Sequence, residues 1–495
     1  MTEPGAFVRR VIVTRVLENY IGGAWVRSSG STLLDVKNPA TGEVLAQVPL
    51  STAGDVDAAV KAARAAFPGW RATPAVARAR YLFKLRELLD AHREEIAAIC
   101  TSEHGKTLSE SRNDFGRGIE NVEHAAGIPS LLMGQSLEDV AHGIDCQAIR
   151  QPLGVFAAVT PFNFPPMVPL WFLPYAIATG NTFVLKPSEQ VPLTQRRIFE
   201  LIHTLDLPAG VLNLVNGGKD VVNGLSTHPD VAGISFVGSS SVAHHVYKTG
   251  AEHGKRVQAL GGAKNFIIVL PDADRERAIA NVAESIYGCS GQRCLAGSIV
   301  VGVGEAYEWV REALHAAAKN IVLGDGSKPG VTMGPVVSAA AKDRILSMIE
   351  KGLQEGAKLT LDGRGATVEG CPGGNWLGPS IFEEVTPDMT IATEEIFGPV
   401  ACLMRAANLD EAIALANRSR YGNAASVYTT SGKAARQFHN QIEAGMVGVN
   451  IGVAAPMAFF PFGGQKASLY GDLKAHGSAG VDFYTERKIV ITRWF

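Results

Sequence analysis

The stretch Gly288-Cys289-Ser290-Gly291-Gln292-Arg293-Cys294-Leu295-Ala296-Gly297-Ser298 carries the side chain best suited to covalent chemistry. A guanidinium beside a thiol favours the thiolate, the form that attacks carbonyl carbon, and Arg293 directly precedes Cys294. Gly288, Gly291 and Gly297 let the backbone come close to a ligand in a flexible, small-residue setting. A cysteine met at random is more often a buried packing residue. The glycine setting argues otherwise here, as do four distant stretches. They are Thr160-Pro161-Phe162-Asn163-Phe164-Pro165, Lys186-Pro187-Ser188-Glu189, Phe236 to Ser239, and Glu394-Glu395-Ile396-Phe397-Gly398-Pro399.

The elements around these stretches have to hold them in place. A helix over Arg275 to Tyr287 and a strand over Ile299 to Val303 flank the Cys294 loop, the kind of setting in which catalytic groups concentrate. From Gly154 the pattern alternates strand and helix. Strands are expected at 155–159, 182–185, 211–215 and 234–237, with an apolar helix ending at Gly180 and others at 193–205 and 220–227. That alternation implies an α/β, doubly wound parallel sheet of Rossmann type, binding a dinucleotide at its strand C-terminal ends. A second alternating block runs from Phe266 to about Pro456, with strands at 266–270, 299–303, 401–405, 424–428 and 446–449. Before Gly154, short strands are expected at 20–26 and 33–36, and helices at 56–67, 75–101 and 108–132. Arg117 lies on the last of these, where a lone arginine reads as solvated or ion-paired. The end of the chain, Gly480 to Phe495, reads as an apolar strand in need of a partner sheet, with 134–151 as a matching arm. The expected division is a nucleotide-binding domain over 1–133 and 152–261, a catalytic domain over 262–462, and an oligomerisation arm over 134–151 and 475–495.

At 495 residues the chain exceeds a single core. With 46% hydrophobic and 19% charged residues it has the balance of a well-buried soluble enzyme. A net charge of -2 gives no reason to expect nucleic acid or an anionic membrane as partner, and no apolar run reaches membrane-spanning length. The six cysteines are scattered without metal-ligand spacing, so free thiols in a cytoplasmic, reducing compartment and no metal site are expected. Arg9, Arg10 and Arg15 near the start lack a signal-peptide apolar core, and a frayed terminus is expected there.

In their order and spacing the five stretches resemble the aldehyde dehydrogenase superfamily. The resemblance implies an NAD-dependent oxidoreductase with Cys294 as nucleophile and Asn163 as side-chain donor to the oxyanion. It also implies a cofactor site built from Thr160, Phe162, Lys186, Glu189, Gln190, Ser239, Glu395 and Phe397. The chemistry agrees with these roles. An aldehyde gives up hydride only after a thiolate has made it tetrahedral, and an amide donor stabilises the charge that develops. A carboxylate at Glu189 accepts hydrogen bonds from ribose hydroxyls and repels a 2′-phosphate, which favours NAD over NADP. Ala243 stands where a second glycine is usual, so the weight there falls on Ser239 and the helix N-terminus after it.

Water-using members carry a glutamate just ahead of a Gly-Gly pair as general base. Here the segment is Val257-Gln258-Ala259-Leu260-Gly261-Gly262-Ala263-Lys264-Asn265, and the place falls on Ala259 or Leu260. Neither accepts a proton, which leaves release to a nucleophile that needs no such base, and the thiol of coenzyme A fits. Pro161 to Pro165, Gly291 to Cys294, Phe459 to Lys466, Gly480 to Thr485 and Ile119 to His124 look like the CoA-acylating methylmalonate-semialdehyde and malonate-semialdehyde dehydrogenase branch. That resemblance implies oxidation with decarboxylation to propionyl-CoA or acetyl-CoA, Arg117 and Arg293 on the substrate carboxylate, and a homotetramer. Gln190 departs from the arginine common in that branch. The alternatives are a water-using aldehyde dehydrogenase and, more remotely, a catalytically silent protein of the same fold.

Overall fold

Five parallel strands form the centre of an eight-stranded sheet, in the spatial order Leu212–Leu214, Thr182–Lys186, Val155–Val159, Val231–Val237 and Arg256–Leu260. This is a computed structural model, and it describes residues 15–495; the terminus expected to fray, with Arg9 and Arg10, lies outside the described residues. In chain order the five strands run third, second, first, fourth, fifth. The order therefore reverses between Val155–Val159 and Val231–Val237, and a ligand crevice opens at such a switch point. Side chains alternate across the first strand. Val155, Ala157 and Val159 pack under the helices Ala53–Ala72, Lys219–Thr227 and Ser240–Glu252. Phe156 and Ala158 face the helices Ala75–Ala91, Leu108–Ala126 and Met167–Ala178. Burial on both faces explains why these strands read as unbroken apolar runs.

A second, seven-stranded sheet has the order Lys358–Leu361, Ser380–Glu383, Val400–Ala406, Ile299–Val303, Phe266–Val269, Ala424–Tyr428, Met446–Val449. Only its first strand is antiparallel to its neighbour. All five strands expected for this block are present. The other two are short and lie in or beside a glycine-rich stretch that hides their period. The C-terminal ends of the first sheet's strands (Thr160, Lys186, Gly238) and the segments leading into the second sheet's strands (Cys294, Glu395) line one cleft.

Several expectations need correcting. The helix drawn over 75–101 is two, Ala75–Ala91 and Arg93–His104, broken at His92, whose φ of -106° and ψ of 19° leave the helical range. The helix over 108–132 ends at Ala126, and a short turn Ile128–Leu131 restarts with Pro129, which has no N–H to continue the ladder. The segment 20–26 is a hairpin, Asn19–Ile21 with Ala24–Val26, turning on Gly22 and Gly23. At the end of the chain, Gly477–Phe483 is helical and its Phe483 packs edge-on against Phe156 in the core. Only Thr485–Arg493 is strand, and it pairs along its length with Ile144–Pro152 of the same chain, which also pairs with Gln135–Ala141. No helix among the described residues is long and apolar enough to cross a membrane.

Candidate active site

Cys294 is a shared wall between two cavities. One, of about 540 Å³, is lined by Thr160, Phe162, Asn163, Lys186, Glu189, Gln190, Ser239, Glu395 and Phe397. The other, of about 490 Å³, is lined by Arg117, Arg293, Trp171, Phe462, His476 and others. Every residue given a catalytic, carboxylate-binding or cofactor role by the resemblance thus lines one of two spaces that meet at Cys294.

The Cys294 loop is held more firmly than its glycine content suggests. Cys289, Ser290 and Gly291 take successive positive φ values of 50°, 55° and 70°. A Cβ on Gly291 would lie 2.1 Å from the Gly398 carbonyl oxygen, so only glycine lets this loop lie against the segment bearing Glu395 and Phe397. The Cys294 carbonyl accepts hydrogen bonds from Asn265 Nδ2 at 2.9 Å and Asn423 Nδ2 at 2.8 Å. Gln292, fully buried, accepts from Val337 N through its side chain. Its backbone carbonyl accepts from Asn163 Nδ2 at 3.0 Å, which occupies one N–H of the Asn163 amide and leaves the second.

Electrostatics at the thiol differ from the sequence expectation. Burial first, and then the Glu395 carboxylate, push the Cys294 thiol up to about 12, and the opposing pull of Arg293 is outweighed. The guanidinium is engaged elsewhere: Nη1 donates to Glu284 Oε1 at 2.8 Å and Nη2 to Glu110 Oε1 at 3.3 Å. Arg117 is engaged as well. It pairs with Glu120 at 3.1 Å and donates to Met457 Sδ and to the Pro456 carbonyl. Both arginines border the second cavity, and both are already partnered there.

In the first cavity Lys186 Nζ lies 2.7 Å from Glu189 Oε2. Burial works against the Glu189 charge, but the Lys186 ammonium holds its carboxyl below the usual range. Ser239 precedes the helix Ser240–Glu252 and makes no side-chain cap, so the helix N–H groups at the cavity rim stay open. Ala243, in place of the second glycine, is buried against the sheet. Glu395 Oε1 accepts from Ala263 N at 3.0 Å, and burial pushes its carboxyl up to about 7. Phe397 holds a φ of 57°, strained for an aromatic residue, with its ring edge-on to Phe162.

Residues 25–490 match the aldehyde dehydrogenase family. The chain belongs to that family. It is 53% identical over 481 residues to malonate-semialdehyde dehydrogenase 1 of Geobacillus kaustophilus, an alignment covering 97% of this chain and 98% of that one. The methylmalonate-semialdehyde dehydrogenase of Oceanimonas doudoroffii superposes with a TM-score of 0.95 at 42% identity, over 97% of this chain and 99% of the other. An aldehyde dehydrogenase of Bacillus cereus in complex with NAD+ superposes with a TM-score of 0.92 at 36% identity, over 97% of each chain. The protein is therefore an enzyme, an oxidoreductase of the aldehyde dehydrogenase fold.

Within this aldehyde dehydrogenase, Ala259 and Leu260 alternate across the strand Arg256–Leu260. Ala259 packs into the cluster under Ser240–Glu252, whereas Leu260 belongs to the opposite cluster, the one against which Cys294 packs. Both side chains are buried and apolar, and neither can take a proton.

Sequence reasoning missed the groups that hold these side chains. Lys106, fully buried, donates to Asp114 Oδ2 at 2.8 Å and to the Asn163 carbonyl at 2.7 Å, and lies over the Phe164 ring. A Gly-Lys pair at a helix end carries no chemical signal by itself; only the fold brings Lys106 to Asn163. Asn265 and Asn423 are equally silent in the sequence. Among the described residues no cluster of three metal-ligating side chains occurs.

Proposed function

We propose that this aldehyde dehydrogenase oxidises malonate semialdehyde and its methylated homologue, with NAD as hydride acceptor, and delivers the acyl group to coenzyme A with loss of CO2. The observation that carries this reading is the shared position of Cys294, with a cavity lined by Lys186, Glu189 and Glu395 on one side and an arginine-lined one on the other.

The residues present fit NAD. Glu189 at a strand end suits ribose hydroxyls, the open N-terminus of Ser240–Glu252 suits a phosphate, and Gly262 leaves room where a Cβ would meet Glu395 Oε2 at 2.6 Å. Bound NAD supplies the hydride acceptor. The protein's part begins with Cys294 Sγ, which gives up its proton to solvent and bonds to the aldehyde carbon as the C=O π pair moves onto oxygen. The second N–H of Asn163 donates to the oxygen as charge builds there. Loss of hydride leaves a thioester on Cys294. Arg117 and Arg293 hold the substrate carboxylate, which lies β to the thioester carbonyl. When the C–C bond breaks, CO2 leaves and its bonding electrons pass into that carbonyl. Protonation of the α-carbon gives the acetyl or propionyl thioester. Leu260 cannot activate water, so transfer to the thiol of coenzyme A is the route that returns Cys294 to its free form. Free cysteines throughout suit a cytoplasmic, reducing setting.

One observation favours a second reading. Glu395 lines the same cavity as Cys294 and, pushed up to about 7, could take a proton from water near neutral pH. Rapid mixing with malonate semialdehyde and NAD separates the two. Without coenzyme A, the acylating reading expects a burst of one NADH per subunit followed by near arrest, and coenzyme A restores turnover. Undiminished turnover without coenzyme A supports Glu395 and water.

A further inference from the structure

We infer that Glu284 is a specificity-determining residue, an internal stand-in for the substrate carboxylate that must yield Arg293 before an acidic aldehyde can bind. The inference deepens the reading above and rests on its assignment of Arg293 to the carboxylate.

The two acids on Arg293 are not equivalent. Glu110 is fixed by other bonds: Oε1 accepts from Cys289 N at 2.6 Å, and Oε2 accepts from Thr107 N at 2.8 Å as half of the capping box that starts Leu108–Ala126. Its side chain is only 12% exposed. Glu284 sits in the last turn of the helix Arg275–Tyr287 with its side chain 63% exposed. Among the described residues its carboxylate pairs with Arg293 alone. Arg293 stays positioned without it, because Nη1 also donates to the Glu284 backbone carbonyl at 3.2 Å and Nη2 reaches Glu110. A helix C-terminus favours a cation there as well. Glu284 can therefore swing into solvent and leave a preset guanidinium N–H facing the cavity that both residues line. A substrate carboxylate takes over the bond that Glu284 gives up, whereas a neutral aldehyde gains nothing from displacing it. Glu284 thus lowers the affinity for acidic substrates by occupying the Arg293 Nη1 donor in the empty enzyme.

The test uses the full-length protein and two alkylating probes. Bromopyruvate carries its carboxylate at the same spacing from the attacked carbon as malonate semialdehyde, and bromoacetone is its neutral counterpart. Trypsin cleaves after Arg293, so Cys289 and Cys294 are counted on separate peptides. Glu284→Gln is expected to raise the bromopyruvate-to-bromoacetone rate ratio at Cys294 by about two- to fivefold, the scale of a partly exposed ion pair. Glu284→Asp keeps the charge but shortens the reach, and raises the ratio too; a general field effect would leave it at the wild-type value. A ratio unchanged in Glu284→Gln, or raised there but not in Glu284→Asp, overturns the inference. The substrate reading fails separately. A wild-type enzyme that oxidises propanal as well as malonate semialdehyde would refute the substrate, while the alkylation ratio would still report on Glu284.

Discussion

At Cys294, burial and a neighbouring carboxylate oppose the ionisation that attack requires. With the thiol pushed up to about 12, the thiolate is a minor species at neutral pH in the free enzyme. Alkylation of Cys294 by iodoacetamide is therefore expected to rise about tenfold per pH unit with no plateau below about pH 10. A plateau near pH 8, followed on the Cys294 peptide by mass spectrometry, would show an activated thiolate at rest. Cys294 stands out in the sequence because glycine, arginine and cysteine together form an unusual local pattern. Its electrostatics do not. Adjacency in sequence places Arg293 next to Cys294, but the side chain turns to Glu284 and Glu110, and only packing reveals that. That Ala259 and Leu260 join opposite core clusters likewise shows only in the sheet.

The elements that carry Arg117 and Asn163 are joined through a buried ion pair. Lys106 lies between the helix Arg93–His104 and the helix Leu108–Ala126, and reaches both Asp114 and the Asn163 carbonyl. Burial pushes the Asp114 carboxyl up to about 6 even against the pull of Lys106. Lys106→Met leaves Asp114 buried without its partner and is expected to cost about 3–5 kcal/mol of stability. Denaturant unfolding of wild type and variant checks this, and coincident curves would contradict it. Helical periodicity located these helices but not their ends. The break at His92 and the stop before Pro129 depend on how each turn packs, and the apolar period runs through both.

For the whole molecule, strand-helix alternation was enough to imply the doubly wound sheet, since buried parallel strands leave unbroken apolar runs. How the second sheet meets the first was not legible. It brings the entry ends of its strands to the cleft, while the first sheet brings its exit ends. The three-stranded arm leaves Leu137, Ile489, Ile491 and Trp494 exposed, with Thr485–Arg493 an edge strand. Apolar edge strands of this kind are stable when another copy covers them. We propose a homotetramer built through this arm. Light scattering at micromolar concentration is expected to give the tetramer mass, and Ile491→Lys to shift it to smaller species; a wild-type monomer would contradict the proposal.

After oxidation the acyl group goes either to coenzyme A or to water. Ala259 and Leu260 are both buried and apolar, and Arg117 and Arg293 border the second cavity that Cys294 lines. Mass spectrometry of a reaction containing malonate semialdehyde, NAD and coenzyme A separates the two fates directly. Acetyl-CoA formed in step with NADH and CO2 is the result expected; a free carboxylic acid as the main product, with coenzyme A present, would contradict it.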